Sequence, residues 1–187
     1  CYDTQRKVLV DYKKGAGQDL GSQAIYALSG QGDSLLVGTY NGLFRLSASS
    51  GHTQRLPLPG YRTGSNQFVN SILPMPAAHS AFIGTEYGLY VYDTRSGQLA
   101  KAGVLQQHPI KSMAPKDDGT LMVGTDDGLF VYRPKEGSLN RIKHDSRNNH
   151  ALANNIIWSI FKDRSANIWL GTDLGFSLWS KQQTEKR

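Results

Sequence analysis

Leu36-Val37-Gly38-Thr39-Tyr40-Asn41-Gly42-Leu43-Phe44 is a phrase that this chain repeats. It returns as Phe82-Ile83-Gly84-Thr85-Glu86-Tyr87-Gly88-Leu89-Tyr90 and as Met122-Val123-Gly124-Thr125-Asp126-Asp127-Gly128-Leu129-Phe130. The last copy is Trp169-Leu170-Gly171-Thr172-Asp173-Leu174-Gly175-Phe176-Ser177. The Gly-Thr pairs begin at 38, 84, 124 and 171, in steps of 46, 40 and 47 residues. A period of that size marks a repeat architecture, in which one supersecondary unit recurs.

Each copy is flanked in the same way. A short apolar run precedes it: Ala24 to Leu28, Phe68 to Leu73, Ile110 to Met113 and Ile156 to Phe161. A turn follows, at Gly32-Asp33, Pro74 to His79, Asp117-Asp118-Gly119 or Asp163 to Asn167. The run ending in Gly-Thr comes next, then a tight turn closed by glycine, which adopts backbone angles that would strain a Cβ. A third run ends on Leu46, Tyr92, Tyr132 or Trp179, and a weaker fourth covers Thr53 to Leu56, Gln98 to Val104 and Leu139 to Ile142. Short runs of β-branched and aromatic residues between Gly, Asp, Asn and Pro read as strands. No stretch keeps a helical period over three turns. The unit is therefore a four-stranded antiparallel meander, and an array of such units reads as an all-β β-propeller of about four blades.

The ends carry phase information. Cys1-Tyr2-Asp3-Thr4 aligns with Val91-Tyr92-Asp93-Thr94, the end of a third strand, and Lys7 to Tyr12 then reads as a lone fourth strand. The chain stops soon after Trp179, at the end of the last third strand. Two arrangements fit: a small ring closed by the orphan strand, or a piece of a larger propeller that would self-associate as a dimer or need its missing blades. Residues 1–180 are read as one propeller domain or segment and 181–187 as a polar tail.

Composition narrows the function. No stretch of 18 apolar residues is present to span a membrane, and no signal peptide is visible. A single cysteine, Cys1, excludes an internal disulfide. The formal charge of +6 comes from 21 basic and 15 acidic residues. The basic residues are spread through the repeats, without the concentrated face that nucleic-acid binding uses.

The stretch Asn155-Ile156-Ile157-Trp158-Ser159-Ile160-Phe161-Lys162-Asp163-Arg164-Ser165-Ala166-Asn167-Ile168-Trp169-Leu170-Gly171-Thr172-Asp173-Leu174-Gly175-Phe176 resembles the two-component regulator propeller repeat. That family pairs a strand ending in Asp and a short turn with an Ile-Trp-x-Gly-Thr strand and then a Gly-Leu strand. Leu152-Ala153-Asn154-Asn155 is similar to the family's Leu-Ser-x-Asn lead-in. The other copies match at the Gly-Thr-x-x-Gly-Leu core, lack the tryptophan, and in the second the Asp turn gives way to Pro74-Met75-Pro76. The resemblance implies a periplasmic sensing segment, the extracytoplasmic input region of a membrane-bound hybrid histidine kinase of the Bacteroidetes type. Such regions typically detect oligosaccharides, and they carry further repeats, an immunoglobulin-like module and a membrane helix outside a stretch of this size. The segment itself would have no kinase chemistry and no cofactor.

Catalysis needs convergent groups. His144, Asp145 and His150 sit in a polar loop without regular spacing, and Asp117-Asp118 and Asp126-Asp127 fall in hairpin turns where Asp bonds its own backbone. No catalytic residue and no metal site is assigned. In a propeller the loops between blades and the turns between second and third strands share one face. Departures from the repeat's own consensus there single out Tyr40, Tyr61, Arg62, Tyr87 and Arg147 as ligand-binding residues. Aromatic rings offer a flat face to a sugar, and Arg clamps a carboxylate or sulfate, so an acidic saccharide is the expected ligand. Trp158 is read as core, Trp169, Trp179, Tyr92 and Tyr132 as packing between blades, and the Gly-Thr threonines as hydrogen-bonding struts. A protein-interaction scaffold and a lyase or hydrolase remain the alternatives.

Overall fold

The computed structural model describes residues 2–3, 7–9, 20, 24–60, 67–116, 119–148 and 150–180. Strands β1 (Tyr2–Asp3) and β2 (Val8–Leu9) form a two-stranded ladder. The first full sheet holds β3 (Ile25–Gln31), β4 (Ser34–Thr39), β5 (Gly42–Ser47) and β6 (Thr53–Leu56), in sequence order. The second holds β7 (Val69–Met75), β8 (Ser80–Thr85), β9 (Gly88–Asp93) and β10 (Leu99–Lys101), and the third β11 (Ile110–Pro115), β12 (Leu121–Thr125), β13 (Leu129–Arg133) and β14 (Ser138–Ile142). The fourth has three strands, β15 (Ile157–Lys162), β16 (Ile168–Thr172) and β17 (Gly175–Trp179). The one helical element among the described residues is a short 3-10 turn, Pro76–Ala78, where proline supplies the first turn and His79 closes it in the left-handed region.

Each sheet is thus a meander of neighbouring strands, as the repeat requires. The ladder at the start follows the expected phase: Tyr2 pairs Leu9 as Tyr92 pairs Leu99. Among the described residues β2 pairs with β1, and the fourth sheet has no fourth strand.

The Gly-Thr turn explains why the phrase recurs. Thr39 Oγ1 donates to Gly42 O at 3.1 Å and accepts from the Asn41 N–H at 3.0 Å. The same pair of bonds is made by Thr85, by Thr125 and by Thr172. One hydroxyl therefore pairs a turn N–H that the hairpin ladder leaves over and also donates to the glycine carbonyl, which in the third sheet already accepts from the Thr125 N–H at 3.2 Å. Gly42, Gly88, Gly128 and Gly175 close these turns with φ of 134°, 128°, 106° and 93°, a region that suits a residue without Cβ.

The chain divides into two compact units, residues 1–69 and 70–187. In the first, Val37, Phe44 and Leu46 form a core against Leu20 and Leu35. In the second, the sheets pack face to face. Phe82 and Leu89 of the second sheet meet Met113, Leu121, Val123, Phe130 and Tyr132 of the third. The opposite face of the third sheet, with Met122, Leu129 and Val131, meets Ile157, Ile168 and Leu170 of the fourth. Alternation along each strand lets one sheet serve two neighbours, because successive side chains point to opposite faces.

Candidate functional site

The first strands of the first, third and fourth sheets each carry a bulge just after the opening residue. The register slips between Ile25 and Ala27, between Ile110 and Ser112, and between Ile157 and Ser159. Two residues there oppose one, and the extra residue leaves the two-residue alternation. The residues so released are Tyr26, Lys111 and Trp158, and Asn70 holds the corresponding place in β7. In the second unit three of these come together with the first turn residue of neighbouring Gly-Thr hairpins.

Asn70 Nδ2 donates to Glu86 Oε2 at 3.3 Å and to the Ile110 carbonyl at 2.9 Å. Lys111 Nζ lies 3.8 Å from Glu86 Oε1 and 5.1 Å from the centre of the Trp158 ring. Trp158 Nε1–H donates to Asp173 Oδ1. The result is a linked row, Asn70–Glu86–Lys111–Trp158–Asp173, at the turn end of three successive sheets. Trp158 is 54% exposed although both its ring nitrogen and one ring face are engaged. An aromatic ring pinned at its nitrogen and left open to solvent offers an amphipathic surface of the kind a sugar ring stacks on. Around it stand two carboxylates, one ammonium and one amide, which can exchange hydrogen bonds with hydroxyls.

Trp158 therefore does not belong to the core, contrary to its reading from sequence as a core residue. The bulge moves it out by one residue, and Ile157, fully buried, takes the core position. In the first unit the same places hold aromatic residues. Tyr26 stands edge-on to Phe68 at 4.4 Å, and Tyr40 lies 5.4 Å from Phe68.

Of the residues singled out from sequence, Tyr40 holds the first turn position and Tyr87 the second. The two positions face differently. Asp127, the second turn residue of the third sheet, turns to β14, where Arg141 and Lys143 Nζ (2.6 Å) bind its carboxylate. The Lys143 hydrogen bond and both cations hold that carboxyl below the usual range, against partial burial. Asn41 likewise offers its carbonyl to Arg55 of β6 at 2.9 Å. Tyr87 is exposed at this outer position. Arg147 pairs with Asp145 of its own loop at 3.4 Å. Tyr61 and Arg62 lie outside the described residues.

Sequence reasoning passed over Asn70, Glu86, Lys111 and Asp173. The signal was present: Tyr26, Asn70, Lys111 and Trp158 differ in chemistry, while the residue before is always Ile or Val and the one after Ala or Ser. Elsewhere carboxylates do structural work. Asp93 accepts the Arg95 and Ser96 N–H groups, and Asp163 accepts the Trp169 indole N–H at 2.9 Å and the Asn167 amide at 3.0 Å. Both carboxyls are held below their ordinary range by these bonds. Among the described residues no three His, Cys, Asp or Glu side chains gather as a metal would need.

No protein-family model matches the chain, and no curated protein does. Solved structures do. Two structures of the extracellular domain of BT4673 from B. thetaiotaomicron align with TM-score 0.84 and 42% identity over 95% of this chain. That protein is provisionally described as a one component system in one and as a hybrid two component system in the other. This chain spans 24% of that domain's length. The computationally designed Ika4 protein aligns with TM-score 0.59 at 17% identity, over 89% of this chain and 97% of its own, a likeness of fold.

Proposed function

We propose that this chain, a homologue of part of the extracellular domain of a hybrid two component system, is a periplasmic ligand-sensing segment. Its sheets are blades of a β-propeller, and it binds an oligosaccharide and performs no catalysis. The single observation that carries the sensing role is the 42% identity kept over 95% of the chain. The propeller reading is supported by the sequential meanders and by the face-to-face packing of successive sheets in the second unit.

The place and class of ligand rest on the row at the first-strand bulges. Trp158 gives the stacking surface, and Asp173, Glu86, Lys111 and Asn70 the hydrogen bonds. Two carboxylates against one ammonium leave this row with net negative charge, so it favours a neutral saccharide over the acidic one expected from the arginines singled out in the sequence. Like charges repel, and local charge outweighs distant net charge because exposed charges are screened beyond about 10 Å. Sensing then requires that the bound ligand favour one of two states of the longer protein.

Calorimetric titration of the chain against a panel of neutral and acidic oligosaccharides tests this. A neutral glycan should bind, and Trp158→Ala should weaken it by about tenfold or more, equal to about 1.4 kcal/mol. The exposed ring contributes little to the fold, so melting should be unchanged. Binding that is equal in the Trp158→Ala protein removes this site from the account.

A further inference from the structure

The second, third and fourth sheets repeat one juxtaposition beside the Gly-Thr turn, all of it within the second unit. Asn70 of β7 bonds Glu86, the first turn residue of its own sheet, and Trp158 in the β15 bulge bonds Asp173 in the same way. The third sheet fills the same two places with Lys111 and Asp126. Lys111 lies in the bulge between the Ile110–Thr125 and Ser112–Gly124 pairs, so it stands beside Thr125, whose neighbour along the chain is Asp126. Here the two residues carry opposite charges, and yet no ion pair or hydrogen bond joins them.

Lys111 turns away from its own sheet. Its Nζ lies 3.8 Å from Glu86 Oε1 of the second sheet, too far for a hydrogen bond, and 5.1 Å from the centre of the Trp158 ring of the fourth. The Lys111 side chain is only 17% exposed. An ammonium carries three N–H donors, and burying it without acceptors is costly. Among the described residues none of those donors is hydrogen-bonded. Asp126 is the complement. It is exposed, and among the described residues its carboxylate accepts no hydrogen bond and joins no ion pair. Only this side of the turn is left so: the next residue, Asp127, is held by Arg141 and Lys143.

Donor and acceptor flank one surface. Glu86 reaches the bulge residue of the following sheet, Lys111, and the same step from Asp126 leads to Trp158. The Trp158 ring is 54% exposed and carries the Lys111 ammonium over one face. Resting on the reading of this row as a saccharide site, we infer that Lys111 and Asp126 are its specificity-determining residues. They read two neighbouring free hydroxyls of the sugar ring stacked on Trp158. One hydroxyl oxygen accepts from the Lys111 ammonium, and the next hydroxyl donates to the Asp126 carboxylate. The ligand class is a neutral glycan with an unsubstituted vicinal diol on the stacked residue. A sugar lacking either hydroxyl leaves a charged group unpaired under the ligand. Sites built to hydrogen-bond a hydroxyl reject such analogues far more strongly than apolar pockets reject a missing methylene.

Calorimetric titration with tetrasaccharides of glucose, galactose and mannose, followed by the singly deoxygenated forms of the one that binds, tests this. Loss of either of two adjacent hydroxyls should weaken binding to the parent chain by about tenfold or more, and loss of any other by less. Asp126→Ala should abolish the penalty at one of those positions and Lys111→Met at the other, while Trp158→Ala weakens every form alike. Asp126 is exposed, so Asp126→Ala should melt with the parent chain, and Asp126→Glu should restore the preference. Should Lys111→Met fail to fold once Glu86 loses its counter-ion, the two Asp126 variants suffice. Binding that depends on Trp158 but treats all deoxygenated forms equally would overturn the inference and leave the saccharide site standing. So would a pattern of penalties that Asp126→Ala leaves unchanged. A chain that binds none of the tetrasaccharides would remove the site and the inference together.

Discussion

Adding one methyl group at equivalent glycines should have opposite consequences. Gly124 and Gly171 hold the same place in the repeat, and neither has a positive φ that would itself penalise alanine. At Gly124 the new Cβ would meet Ile157 Cγ2 at 2.8 Å, Ile157 Cβ at 3.0 Å and Ser112 Oγ at 2.7 Å. Ile157 is fully buried between the third and fourth sheets, so the sheets themselves must separate. Overpacking of that kind typically costs about 1–3 kcal/mol. At Gly171 the Cβ meets only Ser159, chiefly its hydroxyl, which can rotate away. Replacing a strand glycine by alanine then recovers about 0.5–1 kcal/mol of backbone entropy. The two variants should differ by about 2–4 kcal/mol, or roughly 5–15 °C in melting temperature for a chain of this size. Calorimetry at concentrations where the mass is that of one chain gives the comparison. Equal melting of Gly124→Ala and Gly171→Ala would refute the close seating of Ile157 on Gly124, and with it the reason for glycine at this position.

Two further outcomes follow from the same geometry. Thr125→Val removes a fully buried hydroxyl that donates to Gly128 O at 2.9 Å and accepts from the half-buried Asp127 N–H at 3.0 Å. Gly128 O keeps the Thr125 N–H, but the Asp127 N–H is left unpaired, which should cost about 1–3 kcal/mol in denaturant titrations, more than Thr172→Val, whose matching bonds are exposed. Asp33, Asp93, Asp127 and Asp163 all have folded-state pKa values depressed by hydrogen bonds to their carboxylates. A depressed pKa contributes stability above the unfolded value, about 3.9 for Asp, and that contribution is lost as pH falls through the folded value. Melting should therefore be level above about pH 5 and fall steeply below 4. The acid limb should be shallower in Asp163→Asn, and an unchanged limb would contradict the assigned bonds.

The fold was legible because its determinants are local. A Gly-Thr-x-x-Gly turn with one hydroxyl serving two backbone groups must recur wherever the hairpin recurs, so the repeat announces itself. The expected strands lie within a few residues of the observed ones; the second sheet's fourth strand, read as Gln98 to Val104, is found as Leu99–Lys101, and the first sheet's first, read as Ala24 to Leu28, as Ile25–Gln31. The candidate site was less legible because it depends on a register slip. Alternation along Ile157-Trp158-Ser159 cannot show that the strand bulges there, so Trp158 looked like core while it stands exposed. Tyr40 and Tyr87 looked equivalent as turn residues, yet the first turn position lies toward the first-strand bulges and the second toward the fourth strand. The exposure of Phe176 and Leu178 in the fourth sheet was hidden for a different reason. Phe176 and Leu178 have the same apolar character as the buried Leu129 and Val131, and nothing local distinguishes a covered row from an uncovered one.

The most direct test of the sensing account is the indole N–H spectrum of the nitrogen-labelled chain during titration with neutral oligosaccharides. The three tryptophans give three indole signals, and the Trp158 N–H is tied to Asp173 while the Trp169 N–H is tied to Asp163. The account predicts a saturable shift of the Trp158 signal with Trp169 and Trp179 unmoved. A glycan that binds while the Trp158 signal stays in place, or a panel in which none binds, would contradict it.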